Sequence, residues 1–271
     1  MTTVSLISCV AAVHAVAAIQ AAVCPVTLHA GTILPAAGII AVTAMTLWLA
    51  YGSAVISSGV YIKAFCREKT EVKRVYLTFD DGPVREITPQ VLDVLDRHSA
   101  KACFFCIGSR IKGNEDIIRR AVASGHTVGI HSWSHSPFFP FFGRKKIYGE
   151  IVSCREALRN ITVEDVRLFR PPFGVTDPAI AAAVKRSGCL TVGWSIRTFD
   201  TMGKTPEEVL DKVRRKLHPG AVILMHDRLP DCPRTLDLVL TYLESEGYAA
   251  DRDITLNLQA SPAPDKKGPV S

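Results

Sequence analysis

The first 62 residues contain no Lys, Arg, Asp or Glu; all 32 basic and 26 acidic side chains of this 271-residue chain lie at or beyond Lys63. That absence excludes a single water-soluble globule, which carries charge along its whole length. Dense cysteine spacing is also missing. Six of the eight cysteines (Cys66, Cys103, Cys106, Cys154, Cys189 and Cys232) are scattered through the charged portion, which excludes a small disulfide-stapled scaffold. No stripe of Lys and Arg is interleaved with aromatics and the net charge is only +6, so no nucleic-acid partner is expected. No internal repeat is visible, and 48% hydrophobic residues exclude global disorder.

What the uncharged segment does contain is two long apolar runs. Val4 to Val23 is interrupted by little more than hydroxyls, His14 and Gln20; Cys24-Pro25 and a polar patch from Thr27 to Thr32 follow, and then a second run from Ile33 to Ser57. Roughly 20 residues cross the hydrocarbon as a helix. Residues 1–62 therefore read as a membrane anchor of two transmembrane helices. A secretory signal ending near Ala22 fits less well, because no basic segment precedes the apolar run. Lys63, Arg67, Lys69, Lys73 and Arg74 make 63–74 a basic linker, and their position leans the rest of the chain toward the cytoplasmic side.

From Val75 onward short apolar strands alternate with amphipathic helices. Strands are expected at Val75–Phe79, Ala102–Ile107, His126–Ile130, Val166–Phe169, Leu190–Ile196, Ala221–Met225 and Ile254–Leu258. Helices are expected at Ile87–Arg97, Asn114–Ser124, Lys146–Asn160, Asp177–Ser187, Thr205–Leu217 and Pro233–Glu246, several ended by glycine. Repeated strand–helix units imply an α/β fold with a parallel sheet, here a distorted (β/α) barrel of about seven units over 75–258. The proline-rich stretch 259–271 reads as a disordered tail.

The chemically notable residues fall at strand ends. Asp80-Asp81, His131, Arg170, Asp200 and His226 all sit at or just past a predicted strand's carboxyl end, the face where parallel barrels build active sites. Adjacent carboxylates diverge at a strand end, so one can hold a metal while the other faces a substrate. His131 and His135 are four apart, a spacing that can bring two imidazoles onto one ion. One carboxylate with two histidines gives three protein ligands and leaves room for water, the catalytic arrangement. Such a donor set suits zinc, cobalt or another borderline divalent ion. Arg170 leads a rigid Pro-Pro-Phe-Gly loop and is suited to clamp a carboxylate.

Thr78-Phe-Asp-Asp-Gly-Pro83, His131-Ser-Trp-Ser-His135, Arg170-Pro-Pro-Phe-Gly174, a Trp194…Asp200 segment and Leu224-Met-His226 resemble, in order, the motifs of the polysaccharide deacetylases, the NodB-homology group or family 4 carbohydrate esterases. The resemblance runs from about Val75 to Tyr248. It implies metal-dependent removal of an N-acyl group, acetyl first among them, from an amino sugar of a polysaccharide, cell-wall glycan or lipid-linked sugar. It implies Asp80 as general base, Asp81, His131 and His135 as metal ligands, and Arg170 as the residue orienting Asp80. His226 resembles the general acid and Asp200 the acid that tunes it. The Phe173 N–H would help hold the oxyanion, and Leu224 would line the acyl-methyl pocket. Thr201 stands where the family commonly has Trp, which touches the substrate groove more than the chemistry.

Two rival functions deserve weighing. A non-catalytic membrane glycan-binding protein on the same fold is the alternative, against which stands the chemical competence of all five motifs. A glycosidase is excluded, because the adjacent Asp80 and Asp81 cannot flank a glycosidic bond at the separation that chemistry uses. Cys103 and Cys106, three apart on a strand, face opposite ways and read as two buried thiols. Phe138, Phe139, Phe141 and Phe142 follow His135 closely; they read either as a loop packed on the barrel or as an apolar lip for a membrane or acyl chain.

Overall fold

The computed structural model describes residues 36–162 and 165–251. It begins with helix α1 (Ala36–Ala54), a charge-free helix. Large apolar side chains such as Ile40, Leu47 and Trp48 are exposed on it. Its last turn is tied to the domain: the Thr176 hydroxyl and N–H donate to the carbonyls of Gly52 (2.8 Å) and Ser53 (3.1 Å). Among the described residues no helix is long and apolar enough to cross a membrane. The expected span Val4–Val23 lies outside the described residues.

The basic stretch 63–74, expected as a linker, contributes a short strand to the sheet at Ala64–Phe65. Strand β1 (Ala64–Phe65) pairs in parallel with β6 (Leu190–Val192). Phe65 then meets the Tyr76 ring edge-on, with centroids 5.8 Å apart. The Glu68 carboxylate accepts from Arg74 Nε and from the Tyr76 hydroxyl, each at 2.7 Å. Burying Phe65 and satisfying Glu68 outweigh the hydration these residues would keep as a free tether.

The remaining units follow the sequence pattern. In chain order they are β2 (Arg74–Asp80), α2 (Thr88–Arg97), β3 (Ala102–Cys106), α3 (Glu115–Ala123), β4 (Thr127–Ile130), α4 (Arg144–Thr162), β5 (Leu168–Phe169) and α5 (Pro178–Ser187). After β6 come β7 (Ile196–Arg197), α6 (Pro206–Lys216), β8 (Ala221–His226), α7 (Cys232–Ser245) and β9 (Ala249–Ala250). The sheet order is β1-β6-β5-β4-β3-β2-β8-β7, with β9 also on β2, and every strand pairing is parallel. The expected strand Ile254–Leu258 and the tail 259–271 lie outside the described residues.

Period-two alternation splits the core. On the inner face Tyr76, Cys103, Phe105, Leu168, Val192 and Val222 pack together. Outward residues such as Leu77, Phe79, Phe104 and Ile223 pack with the apolar faces of the helices. Cys103 falls in the inner group and Cys106 in the outer one, both buried.

The expected strand Leu190–Ile196 is in fact two. It breaks at Gly193-Trp194-Ser195, where the chain steps from β6, near one edge of the curled sheet, to β7 at the other. Four residue steps reach at most ~14 Å, so these edges nearly meet. A Cβ on Gly193 would lie 2.5 Å from Cys66 Sγ, so only glycine fits that step.

Candidate active site

Asp80 ends β2 with its side chain on the inner face, and its register partner on β8 is His226. Two titratable groups thus end adjacent strands at the same level. Asp80 Oδ1 accepts from Arg170 Nη1 at 2.7 Å. The Arg170 side chain has no solvent exposure and makes four hydrogen bonds. Nη1 also reaches Thr78 Oγ1 (2.9 Å), Nε the Val192 carbonyl (3.2 Å) and Nη2 the Gly193 carbonyl (2.7 Å). Its guanidinium stacks 4.3 Å from the Phe105 ring centroid. A buried charge is tolerated only when paired and hydrogen-bonded in this way.

Asp81 turns away from Asp80 through a left-handed backbone (φ 77). Its Oδ1 lies 3.6 Å from His131 Nε2 and 3.3 Å from His135 Nε2. The ligand atoms of these three residues lie within 4.8 Å of one another. His131 Nδ1 is 2.8 Å from the Arg170 carbonyl; a carbonyl only accepts, so Nδ1 carries a proton and Nε2 is the ring nitrogen turned toward Asp81. Burial, aided by His131, pushes His135 down to about 4 against the pull of Asp81. Burial alone would raise Asp81, but His131, His226, His135 and the Arg228 hydrogen bond together hold it well below the usual carboxylate range. An ionised carboxylate and imidazole lone pairs aimed at one point are the donor chemistry of a borderline divalent cation, so these three residues fit a metal.

The loop carrying the histidines is shaped by its own backbone. Ser132 and His135 both have positive φ (65 and 47). The His135 N–H donates to Ser132 Oγ, and Glu150 on α4 accepts from the N–H groups of Trp133 and Ser134. The Phe138–Phe142 stretch divides: Phe139 is fully buried, whereas Phe138 and Phe141 are 67% and 60% exposed.

On the other side, His226 Nδ1 lies 2.8 Å from Asp200 Oδ1, and its N–H donates to Asp200 Oδ2 at 2.8 Å. Burial pulls the His226 imidazole down, but the Asp200 bond and the charges of Asp200, Asp81 and Asp80 outweigh it and hold the pKa above its ordinary value. Leu224, two residues before His226, is buried and shares its face of β8. Phe173 adopts φ 62 and sets its ring 4.8 Å from that of His135. Beside Thr201 and Asp200 a cavity of about 460 Å³ opens between the starts of α6 and α7.

The structure thus gathers Asp80, Asp81, His131, His135, Arg170, Asp200 and His226 at one end of the barrel, with Phe173 and Leu224 beside them. Sequence reasoning missed several neighbours. Thr78 and Glu150 are generic polar residues whose partners lie far along the chain. Arg228, whose Nε donates to Asp81 Oδ2 at 2.7 Å, lies just two residues beyond His226 and that proximity was the available signal.

Residues 67–192 match the polysaccharide deacetylase family. A peptidoglycan-N-acetylglucosamine deacetylase of Listeria monocytogenes is 36% identical over 193 residues, 71% of this chain and 40% of that protein; this chain therefore spans well under half of that relative's length. A chitooligosaccharide deacetylase of Sinorhizobium fredii is 36% identical over 171 residues, 63% of this chain and 79% of that protein. Among solved structures, a family 4 carbohydrate esterase pseudoenzyme from Bacillus anthracis superposes with a TM-score of 0.65 at 29% identity, covering 71% of this chain and 68% of that one.

Proposed function

Because this chain belongs to the polysaccharide deacetylase family, we propose that it hydrolyses the N-acetyl group of an amino-sugar residue in a glycan. The observation that carries the reading is the pairing of Asp80 and His226 at matched register beside the Asp81–His131–His135 cluster. The relatives named for acetylated amino sugars support the choice of acyl group and sugar.

A divalent ion held by Asp81, His131 and His135 would supply Lewis-acid polarisation and a lowered pKa for water. The chain's own groups do the rest. Arg170 occupies Asp80 Oδ1 and leaves Oδ2 to take a proton from the attacking water. The Phe173 N–H, presented by a left-handed turn, donates to the oxygen on which charge develops. An amine leaves poorly unless protonated. His226, with Nδ1 committed to Asp200, delivers the proton from Nε2. Leu224 walls the space for the acyl methyl.

The similarity to a pseudoenzyme keeps a glycan-binding, non-catalytic reading in view, and one experiment separates the two. The zinc- or cobalt-loaded full chain should release acetate from chitotetraose. Asp80→Asn should retain metal and lose at least about 100-fold in kcat, while His131→Ala should lose both metal and activity. Undiminished turnover in Asp80→Asn removes the base assignment; metal uptake without acetate release favours the binding reading.

We also infer that residues 1–54 seat the protein on a membrane. In support, α1 is uncharged and exposes Ile39, Ile40, Val42, Met45, Leu47, Trp48 and Tyr51, an apolar surface that is unfavourable in water. Nineteen helical residues extend only about 28 Å at 1.5 Å each, just short of a typical hydrocarbon core. The apolar run continues upstream to Ile33.

A further inference from the structure

Beyond the Asp81–His131–His135 cluster the barrel face continues into a groove whose charged side chains are mostly cationic. A cavity of about 430 Å³ is bounded by Asp81, His135, Ser109, Arg110 and Arg228. A second, of about 600 Å³, shares Ser109, Arg110 and Arg228 and extends past Lys112 and Arg85 to Glu86. The two therefore adjoin at these three side chains. Arg110 and Arg228 are both fastened to Asp81: Arg110 Nη1 donates to its carbonyl (2.6 Å) and Arg228 Nε to its carboxylate (2.7 Å). A guanidinium has five N–H donors, so each keeps most of them after that single anchoring bond. Lys112 is exposed and enters no ion pair among the described residues. Arg85 at the far rim is matched by Asp116 and adds little net charge. Of the carboxylates lining the groove, Asp81 is already engaged, which leaves Glu86 against Arg110, Lys112 and Arg228.

Metal ligation by Asp81 does not require two guanidinium groups at its back. Their positive charge would repel a cation, so retaining them there has an electrostatic penalty. Fixed, partly desolvated donors with spare N–H groups are instead the arrangement that recognises an oxyanion bidentately. We propose that this groove binds an anionic substituent, a carboxylate or a phosphate, on the glycan that carries the scissile amide. The proposal rests on the deacetylase reading and deepens it: the substrate is an acidic glycan. Arg228 and Arg110 grip the oxyanion, and Lys112 steers it.

The test compares four glycans of equal length on the metal-loaded full chain: chitotetraose, an analogue bearing lactyl carboxylates, the same analogue with those carboxylates as amides, and a phosphorylated chitotetraose. At low salt the carboxylated or the phosphorylated glycan should exceed its neutral counterpart in kcat/KM by about tenfold, shrinking at high salt. Which of the two gains identifies the oxyanion. In Arg228→Gln the anionic-over-neutral ratio should fall about tenfold and in Lys112→Ala about threefold, with Arg228→Lys retaining part of it. Calorimetric binding to Asp80→Asn reads the same preference without turnover. Equal handling of anionic and neutral glycans in both assays overturns the acidic-substrate inference alone. Absence of acetate release from every glycan overturns the deacetylase reading, and the binding ratio then still decides the groove.

Discussion

Of the carboxylates that poise His226, Asp200 contributes most. Burial works against its protonated form, and Asp200 reverses that through a 2.8 Å bond to Nδ1. In Asp200→Asn the burial remains and the largest opposing contribution is gone, so the imidazole pKa should fall. The alkaline limb of the kcat/KM–pH profile, which reports the acid, should move to lower pH, with kcat reduced about 10- to 100-fold. The same linkage touches stability. Because the folded pKa lies above the unfolded one, the pair's contribution is complete below about 6.5 and is lost as pH rises through the folded value. An unchanged limb in Asp200→Asn would detach Asp200 from the proton transfer. At this scale the sequence was most informative where rare groups cluster: Asp80-Asp81, the His131/His135 pair and Arg170 stand out because carboxylates, imidazoles and prolines are concentrated at strand ends. Arg110, Arg228 and Glu150 did not, because an arginine or glutamate in a loop or on a helix is ordinary until folding supplies its partner.

Among the elements, the Arg170–Gly174 loop carries the most tightly specified backbone. Phe173 and Gly174 both have positive φ, and a Cβ on Gly174 would come 2.2 Å from the Trp194 ring. Gly174→Ala should therefore destabilise the fold by about 1–3 kcal/mol, read as a lower urea midpoint. It should also lower activity through displacement of the Phe173 N–H. A neutral effect on both would mean the loop adapts freely. The six expected helices of the barrel are present, their ends within one or two residues, because amphipathic periodicity and glycine stops are local signals. Leu190–Ile196 was not legible as two strands, since a lone glycine inside a strand-like run signals a bulge or a close approach and not that the chain changes sheet edge. The phenylalanines after His135 could not be apportioned from sequence either, since burial of Phe139 and exposure of Phe138 and Phe141 depend on the single turn at 139–141.

For the whole molecule, the proposed membrane seat has a direct assay. The full chain should sediment with membranes and resist an alkaline wash. A chain lacking residues 1–35, or one with Ile40, Leu47 and Trp48 changed to Ser, should move toward the wash fraction while retaining the folded barrel's thermal transition. Recovery of the intact chain in the soluble fraction without detergent would remove the anchor. Deletion through Ser53 is a different experiment, since it also takes away the two carbonyls that Thr176 uses. Composition made the division between apolar and charged portions evident, but not that Ala64–Phe65, inside a stretch that looks like a tether by charge, pairs with the sheet.

Arg170 serves two masters. With one edge of its guanidinium it holds Asp80, and with the other it clasps the carbonyls of Val192 and Gly193 just where the polypeptide vaults the gap in the cylinder. The carboxylate proposed as the base and the shutting of that gap are thus latched by one side chain. A molecule that breathes open along this line would stay largely ordered and yet fall silent, its proton acceptor adrift.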